Sequence, residues 1–326
     1  AEGDETDVAK QRGTFIHRLL ELLPEVPRDS SLDRLEAART QREELRQKTR
    51  DAALAALREA EDAEEVEAAW GRIARDMDDL FTTPEDVGPL RQAILELAVR
   101  GRLVEQDPGD EPASTLLGDR ILKDRPSTVP AGWEHSTFKL LGKIMGGGTP
   151  SKRNPRFWGG DIPWVSPKDM KRDLIGESQD YVTVEAVEGS SIKLIPANSL
   201  LMVVRGMILA HSFPTALTTA EVTVNQDMKA VVPFDAAISP YLLLVSKGIK
   251  RSVLELVKQS THGTCKLTSD DIFNFSIPVP PLDEQARIVT KVDALMSLCD
   301  DLEARLTSAR DLQGQFAAAA VHHLDV

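Results

Sequence analysis

Cysteine, histidine and long apolar runs are all scarce in this chain, and each scarcity removes a class of function. The only cysteines in 326 residues are Cys265, on a loop-like segment, and Cys299, on a helical seam. Neither a disulfide framework nor a cysteine metal site is expected from two such thiols. The six histidines are scattered without metal-ligand spacing, so no metal is assigned. No apolar stretch approaches the roughly 18–20 residues that span a bilayer. The opening Ala1-Glu2-Gly3-Asp4-Glu5 is acidic where a secretory leader would be basic. The expectation is a cytoplasmic protein with no membrane partner.

Motifs of catalysis are missing as well. Amino-methyltransferases carry an Asn/Asp-Pro-Pro-aromatic loop, and Asn154-Pro155-Arg156-Phe157 misses it by placing Arg156 at the second proline. The run Gly146-Gly147-Gly148-Thr149-Pro150 lacks the Lys-Ser/Thr ending of a phosphate-binding loop, so its glycines are expected to serve a turn. There is no Gly-x-Ser-x-Gly elbow, and no pair of acids with a lysine flanked by apolar strands. No catalytic residue is assigned, and the chain is expected not to be an enzyme by itself.

What is present is a globular unit between helices. Hydrophobic residues make up 41% of the chain, enough for real cores. The net charge of −13 argues at first against a nucleic-acid partner, but it is unevenly spread. Glu134 to Pro281 holds 16 Lys+Arg against 14 Asp+Glu, a net of +2 that leaves −15 on the remainder. Phosphate binding depends on the contacted patch rather than on the charge of the chain, so the near-neutral unit stays a candidate.

Residues 1–29 hold a short apolar pattern (Phe15, Ile16, Leu19, Leu20, Leu23) closed by Pro24 and Pro27, which reads as a small docking helix. Ser30 to Trp70 contains neither Gly nor Pro and is built from strong helix formers, predicting a long helix with room for one break. Its charge-rich face suits either solvent or a partner subunit. Another helix carries Leu90, Ile94, Leu95 and Leu97 and ends at Gly101. After Gly132-Trp133 the texture changes to short apolar strands, with strands expected at Ser199–Val204, Ala230–Val232 and Asn274–Val279 and a helix from Pro240 to about Ser260.

The proline corner Ile277-Pro278-Val279-Pro280-Pro281 then gives way to a heptad helix, with Asp283 as its expected N-cap. Its seam runs through Ile288, Val292, Leu295, Cys299, Leu302 and Leu306, an a/d pattern that must be buried against some helix. That helix is the chain's own Ser30–Trp70 segment or a second copy. From Leu282 to about Leu324 it would measure ~64 Å, longer than one DNA turn of about 34 Å. A faint echo aligns Asp33–Thr40 with Asp300–Thr307 at five identities in eight, which would put equivalent helices before and after the globular unit.

Recognition-type loops remain. "GGTPSKRNPRFWGGDIPWVSPKD" from Gly147 sets Lys152, Arg153 and Arg156 beside Trp158 and Trp164 on turn-rich backbone. The tryptophans are expected to be core anchors and the basic trio to be free. Asn225-Gln226 could read adenine, although a structural role is the stronger reading.

Taken in order, "LRQAILELAVRGRLVEQDPGDEPASTLL", "GGTPSKRNPRFWGGDIPWVSPKDM", "VVRG", "NQD", "GTCKLTSDDIFNFSIPVPPLDEQ" and the following helix resemble the specificity (S) subunit of type I restriction-modification systems over roughly residues 80 to 310. The resemblance implies an α+β fold, with one globular α/β target-recognition domain flanked by long α-helices forming a coiled-coil spacer. On it, 1–29 is a docking segment, 30–129 a helical spacer and partner-docking region, 130–281 the recognition domain and 282–326 the coiled-coil helix. S subunits of this family typically carry two recognition domains, so a chain with one resembles a half-subunit or a truncated form.

The function implied is non-catalytic DNA recognition that positions a separate adenine methyltransferase. The alternative is an assembly or inhibitory protein that docks the same partners without reading DNA. Implied partners are double-stranded DNA and methyltransferase (M) subunits, with a restriction/translocase (R) subunit in the full system and a homodimer through the helices left open. No cofactor is expected on this chain, S-adenosylmethionine belonging to the methyltransferase. Candidate DNA-binding residues are Lys152, Arg153, Arg156, Lys171, Arg172, Arg205 and Lys266. The candidate helix-pairing face is Ile288, Val292, Leu295, Leu302 and Leu306.

Overall fold

A computed structural model describes residues 31–61, 63–124, 128–259 and 263–324. The docking helix expected within residues 1–29 lies outside them. The five longest helices are α1 (Ser31–Glu59), α2 (Ala63–Arg75), α3 (Val87–Val99), α4 (Ser239–Gly248) and α5 (Leu282–Leu324). The expected long first helix is thus broken near Ala60. The helix expected to reach Ser260 stops earlier, at Glu255, because Lys258–Gln259 forms a short strand. No helix among the described residues is long and apolar enough to cross a membrane.

Among the described residues the strands of the globular unit are β1 (Glu134–Thr137), β2 (Gly142–Gly146), β3 (Trp158–Val165), β4 (Leu174–Ile175), β5 (Asp180–Val182), β6 (Leu200–Val203), β7 (Thr215–Thr218), β8 (Thr223–Val224), β9 (Met228–Pro233), β10 (Lys258–Gln259), β11 (Cys265–Lys266) and β12 (Ser276–Val279). The main sheet has order β2-β9-β6-β7-β4, antiparallel except for β4 beside β7. A second sheet has order β5-β3-β8. Strand β6, Leu-Leu-Met-Val, is buried at every position, as a central strand covered on both faces must be. Helix α4 packs across β6 and β7 and against α3, which joins the sheet to the helical body.

Strand β1 pairs antiparallel with β12, Glu134 opposite Val279, so the globular unit begins and ends at one place. Both helical arms therefore leave from the same side. Trp133 Nε1 donates to Glu284 Oε2 at 2.9 Å, Gln285 Nε2 donates to Pro280 O at 2.9 Å, and the Glu284 and Gln285 side chains are both buried. Asp283 is not the cap: it sits in the first turn of α5, where its charge suits the helix dipole, while Glu284 and Gln285 anchor the corner.

Helix α3 is the axis of the helical body. Val87, Leu90, Ala93, Ile94 and Leu97 are all buried. It ends as a Schellman motif, Arg102 N–H to Leu97 O at 3.0 Å and Gly101 N–H to Ala98 O at 3.2 Å. Gly101 has φ +68°, and a Cβ there would lie 2.6 Å from Pro130 Cγ, so only glycine fits. Helix α5 runs antiparallel to α3, with Arg91 on Met296 O, Asp300 and Glu303, and Arg310 on Glu85. Helix α1 runs parallel to α3 on another side, Arg46 at Leu80 O and Arg58 at Pro89 O.

The seam of α5 is covered mainly by α3, with smaller contributions from α4. Ile288, Val292 and Leu302 are buried there, and Leu295 and Leu306 are half-buried against the same core. Of the expected Ser30–Trp70 partner, α1 is held on a different side of α3, while Trp70 on α2 lines one groove with Leu295, Cys299 and Leu302. What holds α1 is Asp86, buried and paired with Arg46 (2.8 Å) and with Arg50. Burial opposes ionisation of Asp86. The hydrogen bonds from Arg46 and from the backbone N–H groups of Thr83 and Thr82 outweigh it, and the carboxyl is held below the usual aspartate value.

Two outcomes are expected. Asp86→Asn removes the buried carboxylate shared by Arg46 and Arg50, which keep only Glu43 and Asp51, and should destabilise the chain by about 1–3 kcal/mol. Since the folded pKa lies below the unfolded one, the Asp86 contribution is complete above pH ~5 and fades as pH falls through about 3.9 and below. In wild type, the midpoint of denaturant unfolding should drop over that window, and it should drop less in the variant. Leu302→Asp places a charge at the α3–α5 contact and should cost about 3 kcal/mol or more, with the mass from light scattering unchanged because the seam lies within one chain.

Candidate nucleic-acid interface

The register of the main sheet puts several loops at one end. Strand β6 leaves at Val203, opposite the start of β9 at Met228; β2 leaves at Gly146, opposite Lys229; β7 enters at Thr215, opposite Met202. Strand β4, parallel to β7, enters at this end too. The segment holding Lys152, Arg153 and Arg156 follows β2, the turn holding Lys171 and Arg172 precedes β4, and Arg205 follows β6. Lys266 joins them through a bridge to Arg205. All seven sequence-predicted cations are exposed.

Each loop is held by specific bonds. Trp164 is buried and donates its indole N–H to Gly148 O at 2.9 Å, and Trp158 donates to Ser151 O at 3.3 Å. The two rings meet edge to face at 5.3 Å. These tryptophans clamp the loop from beneath and leave Lys152 and Arg153 outside. Asn154 Oδ1 accepts from Arg156 N–H at 3.2 Å, so Asn154-Pro155-Arg156 is a capped turn rather than a base-holding loop. Arg156 is 78% exposed, with Glu185 4.0 Å away.

The second turn is organised by Asp169, whose Oδ2 accepts from Ser166 N–H and Oγ–H at 2.8 Å and whose Oδ1 accepts from Gln179 N–H at 3.0 Å. It frames a polar concavity of about 620 Å³ lined by Lys168, Lys171, Arg172, Gln179 and Thr219. Lys168 was absent from the expected set, though it stands in the same sequence segment. Lys258, also absent from that set, was hidden by the overlong helix expected there.

Asn225 and Gln226 are engaged within the fold. Asn225 is buried, its Oδ1 accepts from Asp227 N–H at 3.0 Å, and its own N–H reaches Val165 O at 2.9 Å. Gln226 Oε1 accepts from Thr149 Oγ–H. Between these segments the chains pass in contact. A Cβ on Gly147 would lie 2.1 Å from Asn225 O and 2.2 Å from Val224 O. The expected turn role of these glycines is therefore refined: Gly146 closes β2, and Gly147 permits the close approach of two backbones.

No group of His, Cys, Asp and Glu able to hold a metal occurs among the described residues. An exposed, mostly cationic rim on rigidly hydrogen-bonded turns is suited to phosphate and base-edge contacts.

Comparison with known proteins identifies the family. Residues 130–309 match the model of the type I restriction modification DNA specificity domain, and the chain belongs to that family. It is 42% identical over 196 residues to the EcoR124I/EcoR124II specificity subunit of Escherichia coli, covering 60% of this chain and 48% of that protein. It is 30% identical over 179 residues to the MjaIX specificity subunit of Methanocaldococcus jannaschii, covering 53% and 39%. Among solved structures, the HsdS subunit from Thermoanaerobacter tengcongensis aligns at 20% identity with a TM-score of 0.46, covering 81% of this chain and 56% of that one. The chain thus spans about half the length of the curated relatives it matches. The matched family is one of DNA specificity domains, and both of these relatives are specificity subunits.

Gly147→Ala forces Asn225 and Val224 away from β2 and should lower stability by about 1–3 kcal/mol in thermal unfolding. The equivalent change at Gly71, where a Cβ meets nothing within 4 Å, should not destabilise the chain.

Proposed function

We propose that this chain reads one part of a bipartite DNA sequence through the loops at the end of the main sheet. On this reading it positions a separate adenine methyltransferase, docked on the helical arms, over the adenine to be modified. The observation that carries the reading is the convergence of seven exposed cations, from four separate stretches of sequence, on one end of one sheet. Membership of the DNA specificity family supports it. Lys152, Arg153 and Arg156 on one loop, and Lys171 and Arg172 beside the concavity, are the side chains to meet base edges, since Arg reads guanine bidentately and such contacts arise from turns. S-adenosylmethionine binds the methyltransferase, and a restriction subunit joins in the full system.

The arms suit the second half of the assignment. From Arg46 to Ser31, α1 continues for ~22 Å beyond its anchor at Asp86, and from Arg310 to Leu324, α5 continues for ~21 Å beyond Glu85. Both free ends run past the start of α3 and carry exposed apolar groups, Leu35 and Leu45 on α1 and Leu312 and Phe316 on α5. A methyltransferase subunit, a second copy of this chain or a second recognition unit would cover them. A second unit would also supply the other half of the DNA site.

The test is DNA binding by the chain assembled with its methyltransferase. The duplex carries the motif found methylated in the source genome, with an unrelated duplex for comparison. Replacing Lys152, Arg153 and Arg156 by Ala should weaken motif binding by about 1–3 kcal/mol per lost base contact and reduce the preference for the motif. Arg42→Ala, on the exposed face of α1, should change neither. Wild-type affinity and preference in the triple variant would sink the loop assignment. Retained methyltransferase assembly without any duplex binding would favour the docking-only alternative.

A further inference from the structure

The small sheet beside the rim contains an arrangement that the fold alone does not favour. In the β10–β11 pair Lys258 stands directly opposite Lys266, and on the other side of Lys266 stands Arg205. Directly opposed residues share a face of a sheet. Three cations therefore form one row across three chain segments, with Lys266 at the centre. Like charges set directly opposite each other destabilise a strand pair, and Lys266 enters two such pairs.

The two outer cations are individually balanced. Arg205 Nε donates to Asp227 Oδ1 at 2.6 Å, and Lys258 Nζ donates to Asp271 Oδ2 at 2.8 Å. The hydrogen bonds from Lys258 and Thr268 hold the Asp271 carboxyl below its usual value, so it is charged at neutral pH. Among the described residues Lys266 enters no ion pair. The carboxylates thus hold the outer side chains in place and leave an unbalanced positive charge at the middle of the row.

The backbone beneath is fixed. Asp227 O accepts from Val204 N–H (2.9 Å) and Arg205 N–H (3.2 Å), Leu267 N–H reaches Val204 O (2.9 Å), and Gly206 N–H reaches Cys265 O (3.0 Å). Lys266 is exposed while its neighbours Cys265 and Leu267 are buried, so its side chain stands out from a pinned strand.

We infer that Lys266, flanked by Lys258 and Arg205, binds a backbone phosphate of the DNA, anchoring the duplex without reading its sequence while the loops at Lys152–Arg156 and Lys168–Arg172 meet the bases. This rests on the DNA-reading function proposed above and assigns a role within it. A phosphodiester fits because it brings one diffuse negative charge to a row of ammonium and guanidinium donors. A guanine edge, which offers two acceptors, could also take donors from a lysine, and an equal loss on motif and unrelated sequence separates a phosphate contact from that one.

The experiment measures binding of the motif duplex and a scrambled duplex, across a range of salt, by the chain assembled with its methyltransferase. Lys266→Gln should lower the steepness of log K against log salt by about 0.9 for both duplexes and leave the ratio of their affinities unchanged. Lys266→Arg should keep the wild-type slope. The melting temperature of the free Lys266→Gln chain should be equal to wild type or higher, because two like-charge contacts are relieved; a merely structural lysine would give a fall. An unchanged slope, or a loss confined to the motif duplex, would overturn the phosphate assignment. Absence of salt-dependent binding by the wild-type assembly would overturn the underlying DNA-reading function and this site with it.

Discussion

The rest of the structure depends on the pairing of β1 with β12. It joins Glu134, at the entry of the globular unit, to Val279, at its exit, and so fixes where two helical arms can start. Pro278 is carried within β12, opposite His135, and the ladder ends before Pro280 and Pro281, which cannot donate backbone hydrogen bonds to continue it. Glu284, buried and bonded to Trp133, then ties the first turn of α5 back across that ladder. Burial pushes the Glu284 carboxyl up, against the indole hydrogen bond and the nearby Arg287 that favour its charged form. The direction in which α5 leaves the recognition unit is thus set by a buried polar contact rather than by a flexible link. Arg287 reinforces it through Asp110, at 3.1 and 2.5 Å.

From that origin the helical body follows by elimination. Helix α3 is apolar on most of its circumference and must be covered on several sides, and α1, α4 and α5 each take one. A seam that reads as a dimer interface in sequence is consumed within the chain along Ile288 to Leu302. The ends beyond Asp86 and Glu85 keep Leu35, Leu45, Leu312 and Phe316 in the open, and Leu298 is exposed on the outer face of α5 as well.

Much of this was legible in the sequence, and the failures have physical causes. Period and composition located α3, α5 and the break-prone α1, because Gly101, the proline corner and the run of strong helix formers act locally. The partner of the α5 seam was not legible, since heptad spacing states that a face is buried without saying by what. The deciding group, Asp86, is one acid among many on a charge-rich stretch. The basic trio beside two tryptophans was visible as a loop motif, and the division into inner indoles and outer cations follows from residue type. Lys258 was missed because its strand is two residues long and preceded by a helical pattern. The row it makes with Lys266 is completed by a bridge from Lys266 to Arg205, more than fifty residues away in sequence.

The partition of charge gives these pieces a common logic. Outside the recognition unit the chain carries −15, so a duplex lying along the helical arms would meet like charge. The unit itself is nearly balanced, and its cations are gathered at one rim while many of its acids are committed to internal work: Asp169 to a turn, Asp227 and Asp271 to holding Arg205 and Lys258. A small net charge on the unit is therefore compatible with a local positive field, and it is the local field that a polyanion encounters at close range. Repulsion by the arms and attraction at the rim both favour an approach end-on to the main sheet. On the function proposed above, the approach of the duplex would be fixed before any base is read, and the loops would need only to discriminate among duplexes already in place.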